Sequence, residues 1–146
     1  MRPHPYLRAY MAGIVVPTLF LLVIMVVLSY HRYYFEVPNQ FVIPLPGLPL
    51  ERALVFPMAV VPNMWGLWNI LHVTLRSRGV RLTLGVHGAL LPLVLMPGGV
   101  ALTRAFDVFT IQWQFALPMV PIGMAVYYLA WKHLVGFLNE EMGIVF

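Results

Sequence analysis

AYMAGIVVPTLFLLVIMVVLSY, residues 9–30, runs for 22 residues without a charged side chain. An α-helix of about 20 apolar residues is what it takes to cross the hydrocarbon of a bilayer. Residues 53–75, 82–102 and 115–137 are apolar over comparable lengths. Backbone amides and carbonyls in lipid need internal partners, which only helices and closed barrels supply. Barrel strands alternate polar and apolar residues, and these stretches do not. The sequence therefore predicts an all-α integral membrane protein, an antiparallel four-helix transmembrane bundle with proline-kinked helices, forming one domain over residues 1–146.

Composition agrees. With 61% hydrophobic and 10% charged residues and a mean hydropathy of +0.84, a soluble chain of this size would carry more apolar surface than its interior can hide. The nine Lys and Arg residues are scattered along helix ends, not gathered in a patch, so no nucleic-acid partner is expected. There is no cysteine, which excludes disulfides, thiolate metal ligands and covalently attached haem. Arg2 and Arg8 before an apolar run imitate a signal peptide. The run ends in Ser29, Tyr30, His31 and Arg32 instead of a small-residue cleavage site, so it reads as a retained signal anchor.

Sidedness follows from the basic residues, because cytoplasmic loops keep the excess of Lys and Arg. Arg2, Arg8, Arg76, Arg78, Arg81 and Lys132 fall on one side, and Arg32, Arg52 and Arg104 on the other. Both termini and the 76–81 turn are expected in the cytoplasm. The expected location is a bacterial inner (plasma) membrane. The outer loop, residues 31–52, contains Pro38, Pro44, Pro46 and Pro49, which favour extended backbone over helix. Its many apolar residues predict that it lies back over the outer mouth or binds something there.

Seven of the thirteen prolines lie inside the apolar spans: Pro17, Pro57, Pro62, Pro92, Pro97, Pro118 and Pro121. Each removes an intrahelical hydrogen bond. All but Pro17 fall in the outer halves of spans two to four, predicting a splayed half. The expected outward-facing ligand cavity involves Pro57, Pro62, Asn63, Trp65, Asn69, Pro92, Pro97, Pro118 and Pro121. Asn63 is a candidate donor to a carbonyl that proline leaves free. The competing reading is that neighbouring helices repair the lost bonds. Trp65, Asn69, His72 and Arg76 follow i, i+4, i+7, i+11 spacing and form one polar seam.

His72, His87 and His133 sit on three spans at a common depth of roughly 6–9 Å below the charged edge. Level imidazoles on neighbouring helices are what a bis-histidine haem b needs, and three of them suit a divalent metal with an open position. No local motif accompanies them, and hydrogen bonding to a neighbouring helix is the competing reading. Catalytic equipment is sparse. The five carboxylates, Glu36, Glu51, Asp107, Glu140 and Glu141, all lie outside the spans, and no nucleophile, phosphate-loop or metalloprotease motif is present. Gly85, Gly88, Gly123 and Ala130 offer close helix approach. A partial echo, Gly13 to Pro17 with Gly88 to Pro92, and Phe56 to His72 with Leu117 to His133, raises an internal duplication of two helices.

The leading functional reading is a non-catalytic subunit or oligomeric interaction protein of a membrane complex. Its partners would be the lipid bilayer and further copies or other membrane subunits. Two alternatives stay open: a haem b or quinone electron-transfer protein using the level histidines, and a small transporter or lipid-binding protein using the outward cavity.

Overall fold

The computed structural model describes residues 4–35, 50–105 and 113–144, with side chains described outside 28, 31–35, 50–57, 102–103, 105 and 113–116. Among these residues every regular element is helical and none is a strand. The elements are α1 (Pro5–Phe35), α2 (Leu50–Ser77), α3 (Leu84–Leu90), α4 (Pro92–Ala105), α5 (Trp113–Leu129), a π-helical stretch (Ala130–Val135) and α6 (Gly136–Glu141). They make four rods, with α3 and α4 as the third and α5 through α6 as the fourth.

The rods overrun the hydropathy boundaries. Residues 31–35 and 50–52, expected as parts of an extended loop, are helical. Hydropathy marks where side chains become polar, whereas a helix continues while its backbone bonds are satisfied. The rest of that loop, residues 36–49, lies outside the described residues. Among the described residues two stretches, Pro5–Val27 and Leu84–Ala101, are long and apolar enough to cross a membrane.

Among the described residues proline breaks a rod at one place. Pro92 has no N–H to offer the Gly88 carbonyl, which accepts instead from Leu91 N at 3.0 Å. That tight turn closes α3, and Pro92 then begins α4 at a position where no N–H is needed. Pro17, Pro97, Pro118 and Pro121 lie inside continuous helices. Glycine closes two other helices. Gly79 at φ 87° and Gly143 at φ 67° adopt the left-handed conformation, favourable for a residue without Cβ. Val80 N then reaches the Leu75 carbonyl at 3.1 Å, and Ile144 N the Asn139 carbonyl at 2.8 Å, so orphan carbonyls at both helix ends are satisfied.

Small residues set the rod contacts. α1 and α2 run antiparallel, and at Gly13 an added Cβ would sit 2.6 Å from the Trp65 carbonyl oxygen and 2.8 Å from Gly66 Cα. Ala9 and Ala12 are buried on the same face of α1. α3 packs on the fourth rod, where a Cβ on Gly88 would overlap the Trp131 side chain. Further along, Gly123 faces Pro92 and Met96 with more room, at 3.8–3.9 Å. The core cluster of Trp65, Leu91, Trp131 and Val135 joins these two hairpins.

These clearances separate two glycine substitutions. Gly13→Ala pushes a methyl into backbone that has no rotamer to yield, and strain of about 1–3 kcal/mol lowers its thermal midpoint. Gly123→Ala makes ordinary contacts and gains helix propensity, so it changes stability by less than about 1 kcal/mol, in the stabilising direction. Melting curves of both variants under identical conditions check the contrast.

Candidate functional site

One end of the molecule collects the buried polar side chains. Asn69, His72, His87 and Asn139 are each no more than 2% exposed. They come from α2, α3 and α6, which meet near the α2–α3 turn and the start of α1.

Asn69 and Asn139 form a reciprocal carboxamide pair. Asn69 Nδ2 donates to Asn139 Oδ1 at 2.8 Å, and Asn139 Nδ2 donates back to Asn69 Oδ1 at 3.2 Å. Asn69 Nδ2 also donates to the Ala9 main-chain carbonyl at 2.8 Å. The alanine lets α1 come close enough for this bond. Beside the pair, Arg8 Nη1 donates to the Met142 carbonyl at 2.7 Å. That places a cation on the orphan carbonyls after α6, where the helix dipole is negative.

A second unit lies on the adjoining α2–α3 contact. Trp68 Nε1 donates to the His87 main-chain carbonyl at 2.8 Å, and His87 Nε2 lies 3.0 Å from the Trp68 carbonyl. A carbonyl oxygen only accepts, so His87 Nε2 carries a proton in this arrangement. The Trp68 and His87 rings stack with centroids 5.0 Å apart, and the Trp131 ring meets His87 edge-on at 5.9 Å. His72 completes the layer, its ring centroid 4.9 Å from that of His87. Trp65 packs against Tyr127 and Trp131 at 4.9 and 5.4 Å. The indole nitrogens of Trp65 and Trp131 are buried without a hydrogen-bond partner.

The three level histidines therefore divide. His72 and His87 come together, while His133, on the π-helical stretch, is exposed. Among the described residues no group of three His, Cys, Asp or Glu side chains is placed to hold a metal ion. Two imidazoles trans to one iron, with bonds of about 2.0 Å, put their centroids roughly 6 Å apart. The His72–His87 separation of 4.9 Å is shorter, and the His87 Nε2 proton faces a carbonyl. This geometry suits packing and hydrogen bonding better than axial ligation.

The residues expected around an outward cavity also divide. Pro62, Trp65, Asn69 and Pro92 are buried, whereas Asn63, Pro97, Pro118 and Pro121 are exposed. The Pro57 side chain lies outside the described residues. Asn63 Nδ2 donates to the Ala59 carbonyl at 2.6 Å, not to the Met58 carbonyl that Pro62 deprives of its intrahelical donor. Its Oδ1 accepts from the Tyr10 hydroxyl. Asn63 thus ties α2 to α1.

Tyr127 and Asn139 escaped the sequence reading, and Arg8 entered it only as a charge. Asn139 lies two residues past the apolar boundary at 137, beside Glu140 and Glu141, where hydropathy counts it as tail. A signal was present in spacing: Trp131, Val135 and Asn139 recur at i, i+4 and i+8, and all three are buried.

Comparison with known proteins identifies no relative: no family model, no curated protein and no solved structure matches the chain. What the coordinates define is a class, an all-helical chain with a hydrogen-bonded polar layer inside one end.

A double-mutant cycle tests the carboxamide pair. Asn69→Ala or Asn139→Ala alone leaves the other amide buried with donors unmet, at a cost of about 1–3 kcal/mol. The double variant is expected to lose less than the sum of the singles, with coupling of roughly 0.5–3 kcal/mol. Strictly additive losses in equilibrium unfolding would remove the pair from its central place.

Proposed function

We propose that this chain is an integral membrane protein, a four-helix antiparallel bundle with both termini cytoplasmic. We propose further that it acts as a non-catalytic subunit or oligomeric interaction protein. The observation that carries the reading is its inverted polarity. Asn69, His72, His87 and Asn139 are inside, while Leu19, Phe20, Leu22, Val23, Val26 and Val27 of α1 and Leu117, Met119, Ile122 and Val126 of α5 are outside. In water those side chains would form a patch far larger than a soluble monomer tolerates. In hydrocarbon they are at home, and the interior amides need each other.

Two further observations favour an interacting subunit over an enzyme or carrier. The buried carboxamides and His87 are occupied by partners within the chain, so these groups are engaged by the fold and not held open for a substrate. The core lies toward the α2–α3 turn, and the other halves of α1 and α5 keep most of their apolar surface uncovered. Such faces suit a second copy or another membrane helix.

Three measurements test the reading. The protein is expected to stay in the membrane fraction through alkaline carbonate washing and to need detergent for extraction. Cross-linking in native membranes is expected to trap a dimer or a complex through the outer half of α1 or α5. A strictly monomeric protein in those membranes overturns the interaction reading while leaving the membrane reading intact. The purified protein is expected to be colourless, and a Soret band abolished by His72→Ala or His87→Ala would replace this proposal with the haem reading.

A further inference from the structure

We infer that the α2–α3 turn, together with Lys132, binds the phosphate of an anionic phospholipid headgroup at the cytoplasmic membrane surface. The inference rests on the membrane reading above and goes beyond it by naming a lipid class and the side chains that select it. Arg78 and Arg81 stand on the turn between α2 and α3, and both are exposed. The turn is fixed. Gly79 N bonds the Arg76 carbonyl at 3.0 Å, Val80 N bonds the Leu75 carbonyl at 3.1 Å, and Thr83 Oγ1 caps α3 by accepting from Val86 N at 3.4 Å. These cations therefore project from an ordered backbone.

Lys132 reaches the same edge from the fourth rod. Its Cβ lies 3.2 Å from the position a Cβ on Gly85 would take, so its stem lies across the first turn of α3. The ammonium sits 5.8 Å from the Tyr128 ring centroid, which steadies it while its N–H donors stay available to an oxygen. Among the described residues, Arg78, Arg81 and Lys132 have no carboxylate partner. The described carboxylates, Glu140 and Glu141, are both on α6, which packs against α1. Arg8, on α1, is engaged by the Met142 carbonyl just past those carboxylates.

The flank distinguishes a lipid from a free anion. Val86, Leu90 and Leu129 are exposed on α3 and α5 directly along the rods from these cations. Arg78 and Arg81 on the α2–α3 turn and Lys132 against the first turn of α3, with apolar side chains further along the same rods, match a phosphate with its acyl chains. Basic residues at a membrane surface attract anionic lipid electrostatically, and the attraction is screened by salt.

The test uses the full chain, purified in a neutral detergent. Thermal midpoints are compared after adding phosphatidylglycerol, phosphatidylcholine or inorganic phosphate. Phosphatidylglycerol is expected to raise the midpoint by roughly 2–6 °C over phosphatidylcholine, with the increment shrinking at high salt and phosphate alone producing none of it. The triple variant Arg78→Gln, Arg81→Gln, Lys132→Gln is expected to keep its phosphatidylcholine midpoint and lose the increment. The lysine-retaining pair Arg78→Lys, Arg81→Lys should keep most of it, and native mass spectrometry of the unaltered chain should retain phosphatidylglycerol over phosphatidylcholine, a readout that survives if the triple variant fails to fold. Equal response to the two lipids, an undiminished increment in the triple variant, or a full increment from phosphate overturns the inference. A chain that is monomeric in buffer without detergent overturns the membrane reading and this inference together, whereas a detergent-requiring chain indifferent to headgroup charge overturns this inference alone.

Discussion

The constraint on which the structure turns is that a carboxamide buried among helices must find another hydrogen-bonding group. Asn69 and Asn139 meet this by pairing, and Asn69 Nδ2 also donates to the Ala9 carbonyl. Van der Waals packing alone admits many helix rotations of similar energy, because apolar side chains interchange with little cost. A reciprocal amide pair admits few. It aligns α1, α2 and α6 at one depth, and α1 can only approach because Ala9, Ala12 and Gly13 present almost no side chain.

The same logic reaches the third rod through aromatic packing. Trp131 is fully buried although it sits on a rod whose neighbours include exposed Lys132 and His133. The π-helical stretch from Ala130 to Val135 widens the turn there, and Gly88 leaves the space that the indole fills. Wider turns of this kind cost backbone energy and persist where a particular side-chain placement compensates. Here the compensation is the layer of Trp65, Trp131 and His87. His87 in turn is held by exchanging hydrogen bonds with Trp68, so each rod contributes a group that another rod needs.

Much of the architecture was legible because hydropathy and helix length are properties of contiguous sequence. The apolar runs of residues 9–30 and 82–102 correspond to helical rods that are long and apolar enough to span a bilayer. The glycines at 85 and 88 do lie where a neighbouring rod comes close. Helix ends were less legible, since residues 31–35 and 138–141 are polar in part yet remain helical. The effect of each proline was illegible for a different reason. Pro92 ends a helix, with the Leu91 N–H taking over the Gly88 carbonyl, and Pro97 does not; residue type alone does not separate the two. Equal depth likewise put His72, His87 and His133 at one level, but depth does not specify rotation about the helix axis, and rotation turns His133 outward.

That distinction between depth and rotation also bears on function. A site for a substrate or cofactor needs donors that converge on a space and remain unsatisfied until something enters it. In this chain the convergent donors at the polar end mostly point at one another. The carboxamides close on themselves, His87 closes on Trp68, and Arg8 closes on the α6 terminus. Among the described residues the buried side-chain polar atoms left without a partner are Arg8 Nε and the indole nitrogens of Trp65 and Trp131, while on the outside apolar side chains run along α1 and α5. An interior whose carboxamides are paired with one another, beneath an exterior that is largely apolar, is the physical ground for the proposal that this chain acts through what surrounds it.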